Sequence, residues 1–440
     1  MTEACEQDQH AQPGGQSRWM RIAPAWMRRY SADFWKFFAA AFFFDFGFGL
    51  FLFLFNLYLT DLHFNERVIG QILASMTLGN VVGTIPAMIL VRRRGFRRPL
   101  LISFLGGPLI CGLRVVSLWT PAQIGLAFLT GLALCFWPIC FSPAVAKYTN
   151  EQNRASGFSI VFATGIGMGS LAGLAGGYLP RLLQTSSAGT SPVAGIRVVL
   201  LCACGAVMLG AWPLANLTRD AKPASVTHGL RMFHPFLKRF LPPFILWNVV
   251  TGSFTIFGAV YLQQTLGLSL SRVGVVFSVS QLLQFAAVLS TPLLYRRLGT
   301  LKGVSLAQMM TAALLLLLAA SRTVPLSVAS FLAFNGAQWM CGPGIYRYLM
   351  EHIPEEERST ASAVQNLSGA LCQAGTAALT GSCIVQFGYT AVIAGNAVIA
   401  LLAALLFLSL PQHREPMPRS RLWARHRLEP RTDRADLSRE

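Results

Sequence analysis

The sequence predicts an all-α integral membrane protein: twelve transmembrane helices in two pseudo-symmetric six-helix bundles, with both termini cytoplasmic. Three observations carry that expectation. The 440 residues are 53% hydrophobic and only 12% charged, where a soluble protein carries about a quarter charged residues. Apolar stretches long enough to cross a bilayer recur twelve times. The second half of the chain repeats the first at a nearly constant spacing.

Each element follows from the length of an apolar run. A helix needs about 20 mostly apolar residues to cross ~30 Å of hydrocarbon, and it satisfies its own backbone where lipid offers no partner. The runs fall near 37–60, 68–91, 99–119, 122–142, 155–180 and 194–217, then 241–263, 272–294, 301–320, 325–349, 360–387 and 389–410. The expected organisation is a cytoplasmic tail (1–34), a first bundle (35–217), a cytoplasmic linker (218–240), a second bundle (241–411) and a basic, disordered tail (412–440). Residues 1–34 hold no apolar core of a signal peptide.

Orientation is read from the basic residues. Of 36 Lys and Arg, 30 fall in the tails and in the connections on the termini side, including Arg92–Arg94, Arg97 and Arg98 after span two and eight arginines from Arg414 to Arg439. The opposite side holds only Arg67, Arg181, Arg197, Arg272 and Arg322, and Arg114 is inside span three. Such a bias places the termini in the cytoplasm, and a bacterial inner membrane is the expected location. The net charge of +18 therefore reads as topology and affinity for anionic lipid, not as a nucleic-acid surface. Eight of the nine cysteines lie in apolar runs, with no Cys-x-x-Cys and no His inside any run. Neither a disulfide scaffold nor a metal centre is expected, and no cofactor.

At an offset of 204 residues Gly70 meets Gly274, Arg92-Arg93 meet Arg296-Arg297, and Gly95 meets Gly299. Glu151-x-x-Arg154 meets Glu355-x-x-Arg358, Gly165 meets Gly369, and Gly177 meets Gly381. In the first span of each half the offset is 203, and Asp45 and Gly49 meet Asn248 and Gly252. Two parallel six-helix repeats form a transporter architecture with a site between the halves. In these motifs the chain resembles the major facilitator superfamily over nearly all of residues 35–411. The resemblance rests on the basic Gly-containing loop between spans two and three, its copy between eight and nine, and Asn150-Glu151-Gln152-Asn153-Arg154. It implies alternating access and a cytoplasmic gate. The family's loop usually reads Gly-x-x-x-Asp-Arg-x-Gly-Arg-Arg, whereas Arg92 stands here at the acidic position. A latch of reversed polarity is one expectation, with Arg92 and Arg93 facing Glu355–Glu357 and Arg296 and Arg297 facing Glu151. The alternative is that these residues only mark topology and helix starts.

Two formal charges lie deep within spans, Asp45 and Arg114. Each costs ~2.5–3.5 kcal/mol on insertion scales, so each marks a functional candidate. Asp45 is the expected proton-coupling carboxylate. Arg114 is its fixed partner or an anchor for a substrate anion. Candidate substrate contacts are Asn56, Asn248, Gln281, Gln284, Asn335, Gln338, Asn366 and Gln373, with Trp137 and Trp339 as stacking surfaces; the competing role of the amides is interhelical hydrogen bonding. Gly165, Gly169, Gly173 and Gly177 form a ladder expected to pack helices closely. No Walker sequence supports ATP-driven transport, and no nucleophile–base pair supports an enzyme. The leading expectation is a monomeric, proton-coupled exporter of a small amphipathic or drug-like molecule. Uptake of a small organic anion, or a transporter-like sensor without flux, are the alternatives.

Overall fold

The computed structural model describes residues 27–150, 153–186, 191–218, 235–354 and 358–411. Among these residues every regular element is a helix. We number the helices by membrane crossing: α1 Ala32–Asp61, α2 Glu66–Arg94, α3 Arg97–Val116, α4 Thr120–Tyr148, α5 Arg154–Ser186, α6 Pro192–Ala215, α7 Pro235–Gln264, α8 Leu270–Leu298, α9 Thr300–Ala320 and α10 Val324–His352. The last helical stretch, Arg358–Leu408, breaks at Gly388, whose φ of 78° is not helical. That break divides α11 (358–387) from α12 (389–408), at the boundary the apolar runs predict. Ten stretches are long and apolar enough to cross a membrane, and one of them, Ala361–Leu408, spans α11 and α12 together. The remaining helix, α10, is diluted by Asn335, Gln338 and several small polar residues.

Local chemistry sets the ends. Ser31, Asn65 and Ser191 accept hydrogen bonds from the backbone N–H three residues on, capping α1, α2 and α6, one orphan donor satisfied in each case. Gly95 and Gly299 end α2 and α8 at φ of 72° and 81°, and each donates its N–H to the carbonyl four residues back. Only glycine takes that conformation without strain, which explains why this pair is repeated at 204 residues. The outer surface carries apolar side chains such as Ile85, Leu293 and Leu379, each at least 65% exposed, as a lipid-facing wall requires and a water-facing one excludes.

Helices α1–α6 pack into one bundle and α7–α12 into the other, and the bundles meet through α2 against α11 and α5 against α8. Glycine makes both contacts possible. A Cβ on Gly70 would stand 2.5 Å from the Ala377 carbonyl, and one on Gly274 would stand 2.5 Å from the Gly173 carbonyl. These two contacts are images of each other under the repeat. The hydrogen bonds joining the bundles also gather at mid-depth or toward the face opposite the termini. Ser170 and Ser278 exchange hydroxyl-to-carbonyl bonds of 3.0 and 2.6 Å. Gln263 donates to Asp61 and Tyr389 donates to Glu66, both at 3.4 Å. These contacts close the far end.

Candidate functional site

The second bundle encloses a cavity of about 530 Å³ between α7, α10 and α11. Its residues lie six to twenty positions from the ends of those helices on the termini face, so it runs from that side to beyond mid-membrane. Ligand pockets typically run ~300–1,000 Å³. Asn248, Gln338, Gln365, Asn366 and Gln373 line it, with the hydroxyls of Thr251, Thr255 and Tyr346. Trp247, Trp339 and Phe244 supply its apolar faces. Among the described residues, no charged side chain lines it.

The amides are held in place before any ligand arrives. Gln373 Nε2 donates to Asn248 Oδ1 at 3.0 Å, and Asn248 Nδ2 donates to the Phe244 carbonyl at 2.9 Å. Thr255 donates to Gln338 Oε1 at 3.1 Å, and Tyr346 donates to Asn366 Oδ1 at 3.0 Å. Asn248 uses both of its groups in these bonds, whereas Gln373 keeps its carbonyl and Gln338 and Asn366 keep their amino groups for a ligand. Gln365 is 2% exposed and its Oε1 has no hydrogen-bond partner. A buried acceptor left bare costs ~1–3 kcal/mol, and a ligand donor would remove that cost. Sequence reasoning singles out Asn366 but passes over Gln365, Thr251, Thr255, Tyr346 and Trp247. The adjacent Asn366 is the only signal that could have found Gln365.

Asp45 lies elsewhere, in the first bundle. It sits at mid-depth on α1 and leans over α5, its Oδ2 2.9 Å from where a Cβ of Gly165 would stand. No cation pairs with it among the described residues. Arg114, 1% exposed, turns to another face of α1, with its guanidinium 4.3 Å from the centre of the Phe55 ring and 5.9 Å from that of Phe51. Its Nε has no hydrogen-bond partner. The two intramembrane charges therefore form no pair, and Arg114 lies outside the cavity, where it cannot anchor a ligand held there.

The remaining candidates separate by surroundings. Asn248, Gln338, Trp339, Asn366 and Gln373 line the cavity. Asn56 donates to the Ile256 carbonyl at 3.5 Å, a contact between the bundles near the closed end. Asn335 bonds back to the Phe331 carbonyl, and Gln284 bonds to Ser280. Trp137 is stacked in an aromatic cluster, 4.6 Å from Phe44 and 5.6 Å from Phe37. Gln281 reaches from α8 to α5, with Nε2 2.8 Å from a Cβ position on Gly169.

The α5 ladder is two structures in one. Gly173 and Gly177 pack against α8, where Cβ atoms would meet Ser278 and Leu270–Gly274. Gly165 and Gly169 instead leave room for the polar ends of Asp45 and Gln281. At the termini face, Arg93, Arg296 and Arg297 are exposed, and Gly95 and Gly299 act as helix caps. The latch expected there falls on Glu151 and Glu355–Glu357, outside the described residues, and on the side chains of Arg92, Arg154 and Arg358, which are also outside them.

Twelve membrane helices in two repeat-related bundles, the second of which holds a ligand-sized cavity, define a polytopic carrier fold. The chain belongs to the Major Facilitator Superfamily, whose family model matches residues 37–377. No curated protein matches it in sequence. Among solved structures it is similar to the nucleoside transporter NupG, at 12% identity and a TM-score of 0.70, over 86% of this chain and 99% of that one. It is similar to a D-xylose–proton symporter at 14% identity and a TM-score of 0.70, over 86% and 98%. A bacterial homologue of the human lysosomal transporter Spinster, in an inward-facing and unoccupied conformation, gives 14% and 0.69, over 89% and 97%. At these identities the likeness establishes the shared fold.

Proposed function

We propose that the chain is a secondary active transporter that works by alternating access and exports a small, uncharged, amphipathic molecule in exchange for protons. The observation that carries this reading is the division of chemistry between the bundles. A cavity of amides and indoles without a charge suits a neutral cargo, since an ion there would be desolvated with no counter-charge. A lone intramembrane carboxylate stands apart from it, free to take up and release a proton without touching the cargo. A carboxyl moved between a desolvated and a hydrated setting couples proton binding to conformation. The excess of Lys and Arg favours a cytoplasmic termini face, and a cavity whose lining begins six positions from that end of its helices suits cargo taken from the cytosol, as export requires. A nucleoside transporter and a proton symporter on the same fold are precedents for small organic cargo and for protons as the coupling ion.

The test is proton movement in proteoliposomes containing the purified chain and a trapped pH indicator. An imposed pH gradient should drive accumulation of a neutral amphipathic compound, and its addition should in turn shift lumenal pH. Both effects should vanish in Asp45→Asn. Accumulation that ignores the gradient would remove proton coupling; no accumulation across a broad neutral panel would favour a sensor without flux.

A further inference from the structure

The repeat gives Asp45 a counterpart with a known partner. Asn248 stands at the same place in the second bundle and leans over Gly369, its Oδ1 3.1 Å from a Cβ position there. Gly369 is the repeat image of Gly165, so the two arrangements match to the position of the glycine. One turn further along α11 stands Gln373, whose Nε2 donates to Asn248. The image of Gln373 in the first bundle is Gly169, which has no side chain to offer. That space is taken instead by the Nε2 of Gln281, which comes from α8 of the opposite bundle.

We infer that Gln281 is the positioning residue for Asp45, completing across the boundary between the bundles the carboxyl–amide pair that Asn248 and Gln373 form within one. The inference rests on the reading of Asp45 as the proton site. Gly165 and Gly169 are one turn apart on α5, about 5–6 Å of rise, and neither contributes a side chain to separate the two groups. An ionised carboxylate accepts from an amide N–H about twice as strongly as a neutral carboxyl does. Ionised Asp45 therefore favours the arrangement with α8 against α5 and the far end closed, and proton uptake loosens it. In the second bundle the same pair is neutral and internal, so pH leaves it alone. Two other carboxylates, Asp61 and Glu66, accept hydrogen bonds across the boundary at the closed end, so the link to Asp45 is the part of the pH dependence that Gln281→Leu and Asp45→Asn both remove. Arg114 faces Phe55, and Arg154 and Arg181 of α5, Arg197 of α6 and Arg272, Arg296 and Arg297 of α8 all stand in or near end turns.

Hydrogen exchange on the full chain in lipid nanodiscs tests this without a known cargo. Protection in 170–180 and 270–280 is followed from acid to neutral pH, corrected for the intrinsic rate at each pH. In the wild type it should rise about tenfold as Asp45 ionises, the strengthening of one charge-assisted bond. Gln281→Leu should flatten that profile while leaving the protein folded. Gly169→Gln combined with Gln281→Ala moves the amide to the position of Gln373 and should also flatten it, because the pair then lies inside one bundle. A wild-type profile in Gln281→Leu overturns the inference, and so does an equal loss of protection at every pH, which would mark simple packing. A wild-type profile in Asp45→Asn defeats the proton-site reading instead.

Discussion

The two bundles place the same backbone geometry around different chemistry. In one, Asp45 leans over Gly165 and looks toward an amide from the other bundle. In the other, Asn248 leans over Gly369 and is bonded to Gln373 of its own bundle. One oxygen-for-nitrogen exchange and one glycine-for-glutamine exchange separate them. The neutral version is internally satisfied and lines a cavity; the ionisable version is left open at the boundary between the bundles. Under the proposed function, this duplicated architecture is a division of labour, with cargo on one side and the coupling ion on the other.

The comparison can be broken most severely at its ionisable member. Asp45→Asn makes the first bundle chemically like the second and is expected to reduce gradient-driven accumulation to background. Asn248→Asp, the reverse exchange, should add a pH dependence to cargo binding in the cavity. If Asp45→Asn transports with full coupling, the division of labour is wrong. The next largest effects belong to the closed end. Gly70→Leu and Gly274→Leu each drive a side chain into a carbonyl of the opposite bundle, at a cost of ~1–3 kcal/mol. As repeat images they should lower the thermal midpoint in detergent by similar amounts, and a large inequality would show that only one contact holds the seal.

Gln373→Leu sharpens the cavity side. It strips Asn248 Oδ1 of its donor, an expected loss of ~1–3 kcal/mol, with cargo affinity down about tenfold and the pH profile of exchange unchanged. The smallest effect is expected at Arg114. Replacing a buried charge that has no ionic partner by an apolar side chain of similar length removes a desolvation cost. Arg114→Met should keep or raise the thermal midpoint, a gain of about 1 kcal/mol in stability, and leave accumulation intact. A stable Arg114→Met chain that no longer binds cargo would return the anion-anchor reading.

Much of this was legible in one dimension, and for identifiable reasons. Membrane thickness imposes a length on every apolar run, so the twelve crossings could be counted, down to the break at Gly388. Lipid makes an unneeded charge expensive, so Asp45 and Arg114 stood out. The repeat aligned Gly70 with Gly274 and Asp45 with Asn248. The ladder from Gly165 to Gly177 was visible but not its two uses, because spacing puts four glycines on one face without saying what approaches each of them. Arg114 illustrates the same limit: its helix position was plain, while its turn toward Phe55 depends on how α3 rotates against α1.

What the sequence determined by itself was the set of crossings, their duplication and the cost of each polar residue among them, since solvent transfer acts residue by residue along the chain. Tertiary structure decided which polar residues meet. Gln281 and Asp45 are 236 positions apart, and only the packing of α8 on α5, made possible where side chains are missing, sets the two beside adjacent glycines of the α5 ladder.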